Sequence, residues 1–163
     1  MVQLIQPPPL VNAFRVLAAS AVAVPLTGST SETALATISI PAGAMGANGI
    51  LRIWPFWSFT NNANVKTARV RLGGIGGTQI LNAVGANLGS IQQLQLLRNR
   101  NSQSSQVGIP AALGNLFNGT SGAPLTATVD TSVAQDLVFT GQLASGADTL
   151  TLESYLVEIL YKA

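Results

Sequence analysis

An all-β fold, an antiparallel β-sandwich of jelly-roll type with an extended N-terminal arm, is what this sequence predicts, on three observations. Apolar residues recur with period two through much of the chain beyond residue 31. The alternating stretches are short and are separated by clusters of Gly, Asn, Ser and Pro. No convincing long amphipathic helix interrupts them. About eight short strands punctuated in this way describe a sandwich or jelly roll. With 163 residues the chain is one domain of ordinary size, able to bury a core without staples. We divide it into an arm and connecting segment, 1–30, and a β-sandwich domain, 31–163.

The arm opens as MVQLIQPPP, in which Val2, Leu4 and Ile5 precede a stiff polyproline-like run. Such a segment extends away from a compact body. The alternative is a solvated terminal tail, for which three large apolar residues are unusual. LVNAFRVLAASAVAVPL, 10–26, is apolar and ends in small residues like an export signal, but prolines stand where a basic region belongs and Arg15 falls inside the apolar stretch. Asn12, Arg15 and Pro25 also make it a poor membrane span. A soluble, unexported chain is expected. Its AVAVPL end favours strand, whereas FRVLAAS tolerates a helical turn.

From residue 33 Ala34, Ala36, Ile38 and Ile40 alternate with Leu35, Thr37 and Ser39, and PAGAMGANG supplies a loop. In ILRIWPFWSF, 50–59, the set Leu51, Ile53, Pro55, Trp57 and Phe59 is wholly apolar and forms the natural core face. Past Asn61–Asn64, Lys66, Ala68, Val70 and Leu72 alternate with Arg69 and Arg71. Joining the two as a hairpin and matching apolar to apolar pairs Trp57 with Ala68, Pro55 with Val70 and Ile53 with Leu72. Trp54 then lies opposite Arg71 and Phe56 opposite Arg69, each cation covering an aromatic ring. Pro55, lacking an N–H, places its strand at a sheet edge or beside a bulge.

Further strands are expected at 75–81, 90–98, 124–130 and 135–141, with a helix as the alternative for IQQLQLLRNR. In DTLTLESYLVEIL, Leu150 and Leu152 keep one phase while Tyr155, Val157 and Ile159 keep the other, which predicts a bulge near Glu153 or Ser154.

The chain has neither cysteine nor histidine. That removes disulfides, thiolate chemistry, the commonest metal ligand and the Ser-His and Cys-His dyads together. Charged residues are 9% of the chain, against about 25% in typical soluble domains, so much of the surface is expected to be covered by other chains. Residues 1–100 hold seven of the eight cations and one acid, Glu32; residues 101–163 hold one cation and five acids. Either these interleave within one domain or they offer complementary contacts between copies.

GGIGGT, 73–78, lacks a following Lys-Ser/Thr and reads as a tight inter-strand turn rather than a phosphate cradle. Asp130 with Asp136, or Asp148 with Glu153, are the acid pairs available for sugar hydrolysis, and Asp130, Asp136 and Asp148 for calcium, without a recognisable loop. RNRNSQSSQ, 98–106, reads as a solvated loop or exposed strand. Asn118-Gly119-Thr120 is a formal glycosylation sequon that needs export to matter.

SETALATISIPAGAMGANGILRIWPFWSFTNNANVKTARVRLGG, 31–74, together with RNRNSQSSQVG and VFTGQLASGADTLTLESYLVEIL, resembles a pattern recurrent in small virion proteins of tailed bacteriophages. The resemblance implies a jelly-roll module that assembles as a trimer, either as capsid decoration or cement or as part of a tail tip or fibre. It carries no catalytic residues over and does not reach residues 1–30. The leading expectation is a non-enzymatic decoration or cement protein on the capsid surface, made in the host cytoplasm. Its expected partners are its own copies, as a homotrimer, and the major capsid protein. The expected interface residues are Val2, Leu4, Ile5, Arg52, Trp54, Phe56, Arg69 and Arg71. No catalytic site, cofactor, metal or membrane is expected. A tail module, with Trp54 and Phe56 as a sugar platform, is the alternative. Nucleic-acid binding through Arg52, Arg69 and Arg71 is disfavoured by a net charge of only +2.

Overall fold

The computed structural model describes residues 14–111 and 122–163, which form twelve strands and, among these residues, no helix. The strands are β1 (Arg15–Ser20), β2 (Val24–Thr27), β3 (Thr33–Ile40), β4 (Ile50–Phe59), β5 (Lys66–Leu72) and β6 (Thr78–Gly85), then β7 (Ser90–Gln92), β8 (Gln95–Asn99), β9 (Gln106–Gly108), β10 (Leu125–Ala127), β11 (Gln135–Leu143) and β12 (Thr149–Leu160). One sheet, A, runs β1-β12-β4-β8-β9-β10, with β2 also on β12 and β7 also on β4. The other, B, runs β3-β11-β5-β6. Every pairing is antiparallel, and the chain changes sheet at β2–β3, β3–β4, β4–β5, β6–β7, β10–β11 and β11–β12. This is the interleaved connectivity of a jelly-roll sandwich.

The inward faces follow the alternation of the sequence. Leu51, Ile53, Trp57 and Phe59 of β4 and Ala68, Val70 and Leu72 of β5 are buried, joined by Ile80 and Leu81, Leu97, Leu137 and Phe139, and Leu150, Leu152 and Val157. Each fully buried large side chain contributes about 1.5–3 kcal/mol of transfer free energy. Phe139 stacks on Tyr155 across the sandwich, with ring centroids 5.0 Å apart.

The expected β4–β5 hairpin does not form. β4 pairs with β12 on one side and with β8 and β7 on the other, while β5 pairs with β11 and β6. Both flanks of β4 are thus occupied, and the six-residue connection, 60–65, crosses between sheets. Trp54 consequently lies opposite Leu156 and Phe56 opposite Ser154, not opposite arginines. The hairpin in this region is β5–β6, turning through GGIGG with Gly73 and Gly74 at φ of 93° and 87°, a conformation glycine adopts at little cost.

Pro55 is not on an edge strand either. Its missing donor falls where the neighbouring strand is interrupted between β7 and β8, and Gln93 N donates to the Pro55 carbonyl at 3.3 Å. On the other side, the ladder of β4 with β12 shifts between Leu152 and Ser154, the predicted bulge, leaving Glu153 as the extra residue. Residues 90–98 are strand rather than helix. Residues 15–20 and 24–27, within the expected connecting segment, are strands paired to β12, so the sandwich includes residues before 31.

The polar tract 98–106 departs from its reading as solvated chain. Asn99 and Gln106 are buried and serve as internal partners: Asn99 Nδ2 donates to the Gly46 carbonyl at 2.6 Å and to Thr131 Oγ1 at 3.1 Å, and Gln106 Nε2 to Asn99 Oδ1 at 3.0 Å. Gln106 also accepts from Val129 N at 3.0 Å and donates to its carbonyl at 3.0 Å. These amides satisfy loop backbone where no ladder does.

Trp57 is wholly buried and its indole N–H meets no acceptor among the described residues, so packing alone holds it. Trp57→Ala is expected to cost about 3–5 kcal/mol in chemical denaturation. A loss below about 1 kcal/mol would show that the ring is not part of the core.

Candidate assembly interface

The outward residues of β4 are Ile50, Arg52, Trp54, Phe56 and Ser58. Across to β12 they meet Leu160, Glu158, Leu156, Ser154 and Thr151 in turn; across to β8, Arg98 and Leu96 stand beside Ile50 and Arg52. A solvated sheet face carries polar residues in this phase. Here Ile50, Trp54, Phe56, Leu96, Leu156 and Leu160 are apolar, around the Arg52–Glu158 pair and beside Arg98, with Ser58, Ser90, Gln92, Thr151 and Ser154 at one end, and Trp54 is 43% exposed.

The ion pair is Arg52 with Glu158, Nε to Oε2 at 2.6 Å and Nη2 to Oε2 at 2.5 Å. The same guanidinium sits 4.2 Å from the ring centroid of Phe14. Phe14, Ile50, Leu94, Leu96 and Ile109 line a groove of about 530 Å³ together with Arg52 and Arg98. At the far end of the face, Ser58 donates a hydroxyl hydrogen bond to the Glu153 carboxylate on the bulge.

Arg69 and Arg71 lie elsewhere, on the outer face of sheet B, and are not brought to Trp54 and Phe56. Arg71 clamps Glu32 in a two-point contact, Nε to Oε1 at 2.7 Å and Nη2 to Oε2 at 2.9 Å. Thr140 Oγ1 donates to Oε1 at 2.6 Å and Arg69 Nη1 lies 3.3 Å from Oε2. The Arg71 hydrogen bond first, then Thr140 and the two positive charges, hold the Glu32 carboxyl down to about 2 against the cost of its partial burial. The two cations are therefore engaged within the domain. The expected cation–aromatic pairs are replaced by one, Arg52 on Phe14, which sequence reasoning did not find.

Val2, Leu4 and Ile5 lie outside the described residues. The outward apolar residues missed on sheet A, Leu156 and Leu160, had a signal: they occupy the phase of β12 that Glu158 shares.

Three of the candidate acids hold separate partners, and the fourth, Asp136, lies in β11 opposite Ser39. Asp148 accepts from Asn62 Nδ2 at 2.7 Å and faces Lys66 Nζ at 3.4 Å, and its carboxyl is held below the usual range, by Asn62 most of all. Asp130 accepts from the Ser132 hydroxyl at 2.6 Å and backbone N at 2.9 Å, which lowers its pKa, while Glu153 bonds Ser58. Among the described residues no three Asp or Glu side chains are grouped as metal ligands, and no helix is long and apolar enough to cross a membrane.

No family model and no curated protein matches the sequence. Among solved structures, the CBM2 module of the evolved Dit of Lactobacillus casei BL23 phage J-1 is similar at a TM-score of 0.41 and 12% identity, over 78% of this chain and 69% of that one. The structure of infectious bursal disease virus Gx strain follows at 0.30 and 11%, over 98% and 45%. The VP2 subviral particle of infectious bursal disease virus gives 0.28 and 14%, over 98% and 44%. This chain spans less than half the length of those two viral chains. Likeness this distant carries no argument about function.

Because the folded pKa of Glu32 lies below its ordinary 4.5, its stabilisation is complete above about 4.5 and is lost as pH falls toward about 2. Glu32→Gln is expected to melt roughly 5 °C below the parent at pH 7, with the gap closing between pH 5 and pH 2. A gap independent of pH would mean that the charge of Glu32 contributes nothing.

Proposed function

We propose that this chain is a non-enzymatic structural protein of a bacteriophage virion, a decoration or cement subunit whose copies meet as trimers and clamp the major capsid shell. The observation that carries this reading is the outer face of sheet A, where Ile50, Trp54, Phe56, Leu96, Leu156 and Leu160 occupy positions that a solvated sheet gives to polar residues. A chain with 9% charge and such a face is suited to life covered by neighbours. The resemblance of residues 31–74, 98–108 and 138–160 to small phage virion proteins supports the same reading. A chain without histidine or cysteine, whose Asp148 and Glu153 are engaged in structural contacts, favours scaffold over catalyst.

Arg52, Trp54 and Phe56 are the interface residues retained on this face; Arg69 and Arg71 serve sheet B. Trp54→Ser is expected to weaken self-association roughly tenfold or more in sedimentation equilibrium, as loss of a central aromatic anchor does, while changing the unfolding free energy of the dissociated subunit by less than Trp57→Ala does. A stable soluble monomer of the parent protein at micromolar concentration would overturn the covered-face reading.

Image reconstruction of the intact particle tests the virion assignment. Density for this sandwich at capsomer junctions is the expected result. Density on the tail axis would replace the cement role with that of a tail module, and a particle lacking the chain would remove both.

A further inference from the structure

The groove on the outer face of sheet A has a feature that its apolar lining alone does not supply: Phe14, the first described residue, forms part of its wall and sits on Arg52. Thirteen residues precede that point and carry no charged side chain; Leu10 and Val11 stand directly before it, whereas Val2, Leu4 and Ile5 are separated from it by Pro7, Pro8 and Pro9. Filling the groove beside Phe14 with residues 2–5 of the same chain would require the backbone to double back within residues 6–13. Three consecutive prolines oppose that, because each fixes φ near −65° and favours the extended polyproline conformation. At about 3.1 Å per residue, an extended run of nine steps, the number from Ile5 to Phe14, spans roughly 28 Å.

The geometry points to a second copy as the donor: we propose that the groove formed by Ile50, Leu94, Leu96 and Ile109 receives Val2, Leu4 and Ile5 from the N-terminal segment of a neighbouring subunit. This rests on the reading of sheet A's outer face as a surface where copies meet. It adds which segment occupies which site, and it makes the contact head-to-tail, each chain giving its arm and receiving another. Such an exchange closes into a ring when the rotation between copies permits, which suits a trimer. The uncharged segment matches the apolar lining.

The natural absence of cysteine makes the test direct. Leu4→Cys and Arg98→Cys are prepared as separate full-length proteins, Arg98 being an exposed residue at the groove. They are mixed, allowed to exchange subunits and treated with a mild thiol oxidant. The expected result is a disulfide-linked pair of unlike chains, formed roughly tenfold or more in excess over a Leu4→Cys with Val84→Cys control on sheet B, because a docked arm raises the local thiol concentration. A chain carrying both Leu4→Cys and Arg98→Cys that closes only on itself would overturn the proposal in favour of the arm's own groove. Cross-linking no better than the control would overturn it outright. Sedimentation of the same samples separates this failure from that of the covered-face reading: an oligomer without the cross-link removes the arm contact alone, and a monomer removes both.

Discussion

One buried ammonium governs how the chain passes between its two sheets. Lys66, 1% exposed, begins β5 directly after the crossing from β4. A buried charge is tolerable only when it is paired and hydrogen-bonded. Its Nζ bonds the Asn62 side chain and the Asn64 carbonyl, the latter at 2.9 Å, within the crossing loop, and faces Asp148 at 3.4 Å in the loop from β11 to β12. Asn62 completes the knot by donating to Asp148 at 2.7 Å. Two connections between sheets, eighty residues apart in sequence, are thereby tied at one point at the end of the sandwich. These are two of the six places where the chain changes sheet.

That knot also explains which parts of the fold were legible in the sequence. The inward faces of β4 and β5 were readable because burial imposes period two on each strand separately, and Leu51, Ile53, Trp57, Ala68, Val70 and Leu72 are all buried. The partnership of those strands was not. Apolar faces that oppose each other across a core and apolar faces that lie side by side in one sheet produce the same alternation. Only Lys66, sitting in the inward phase of β5, marked a polar tie at that crossing. The bulge at Glu153 was legible because a phase change within one strand has few other causes. The internal role of Asn99 and Gln106 was not, since an amide that serves buried backbone and one that serves water are the same residue in a sequence.

The surfaces divide along similar lines. Trp54 and Phe56 were placed correctly on an outward face, but the arginines assigned to them belong to the other sheet. Residue spacing along one strand places side chains relative to each other; it carries no information about which strand lies alongside. The separation of cations from acids in the sequence is bridged within the domain at two points. Of four ion pairs among the described residues, Arg52–Glu158 and Lys66–Asp148 join the basic part to the acidic part, and Glu32 absorbs Arg69 and Arg71. Sheet A's outer face keeps only one of these pairs, which is why it is left so apolar.

Across sheet A four irregularities line up, while the register shift between Val16 and Ala18 in β1 lies apart from them. The gap between β1 and β2 at residues 21–23, the extra residue Glu153 in β12, Pro55 in β4, and the gap between β7 and β8 stand side by side. Sliding β12 by one residue would carry its inward leucines to the outer face on one half of the sheet. Sliding it by two would preserve the faces but move the extra residue away from the proline and both gaps. The alignment therefore acts as an index mark for register: four neighbouring segments reach a common fit at a single setting, so the shape of the sheet specifies the same pairing that burial does.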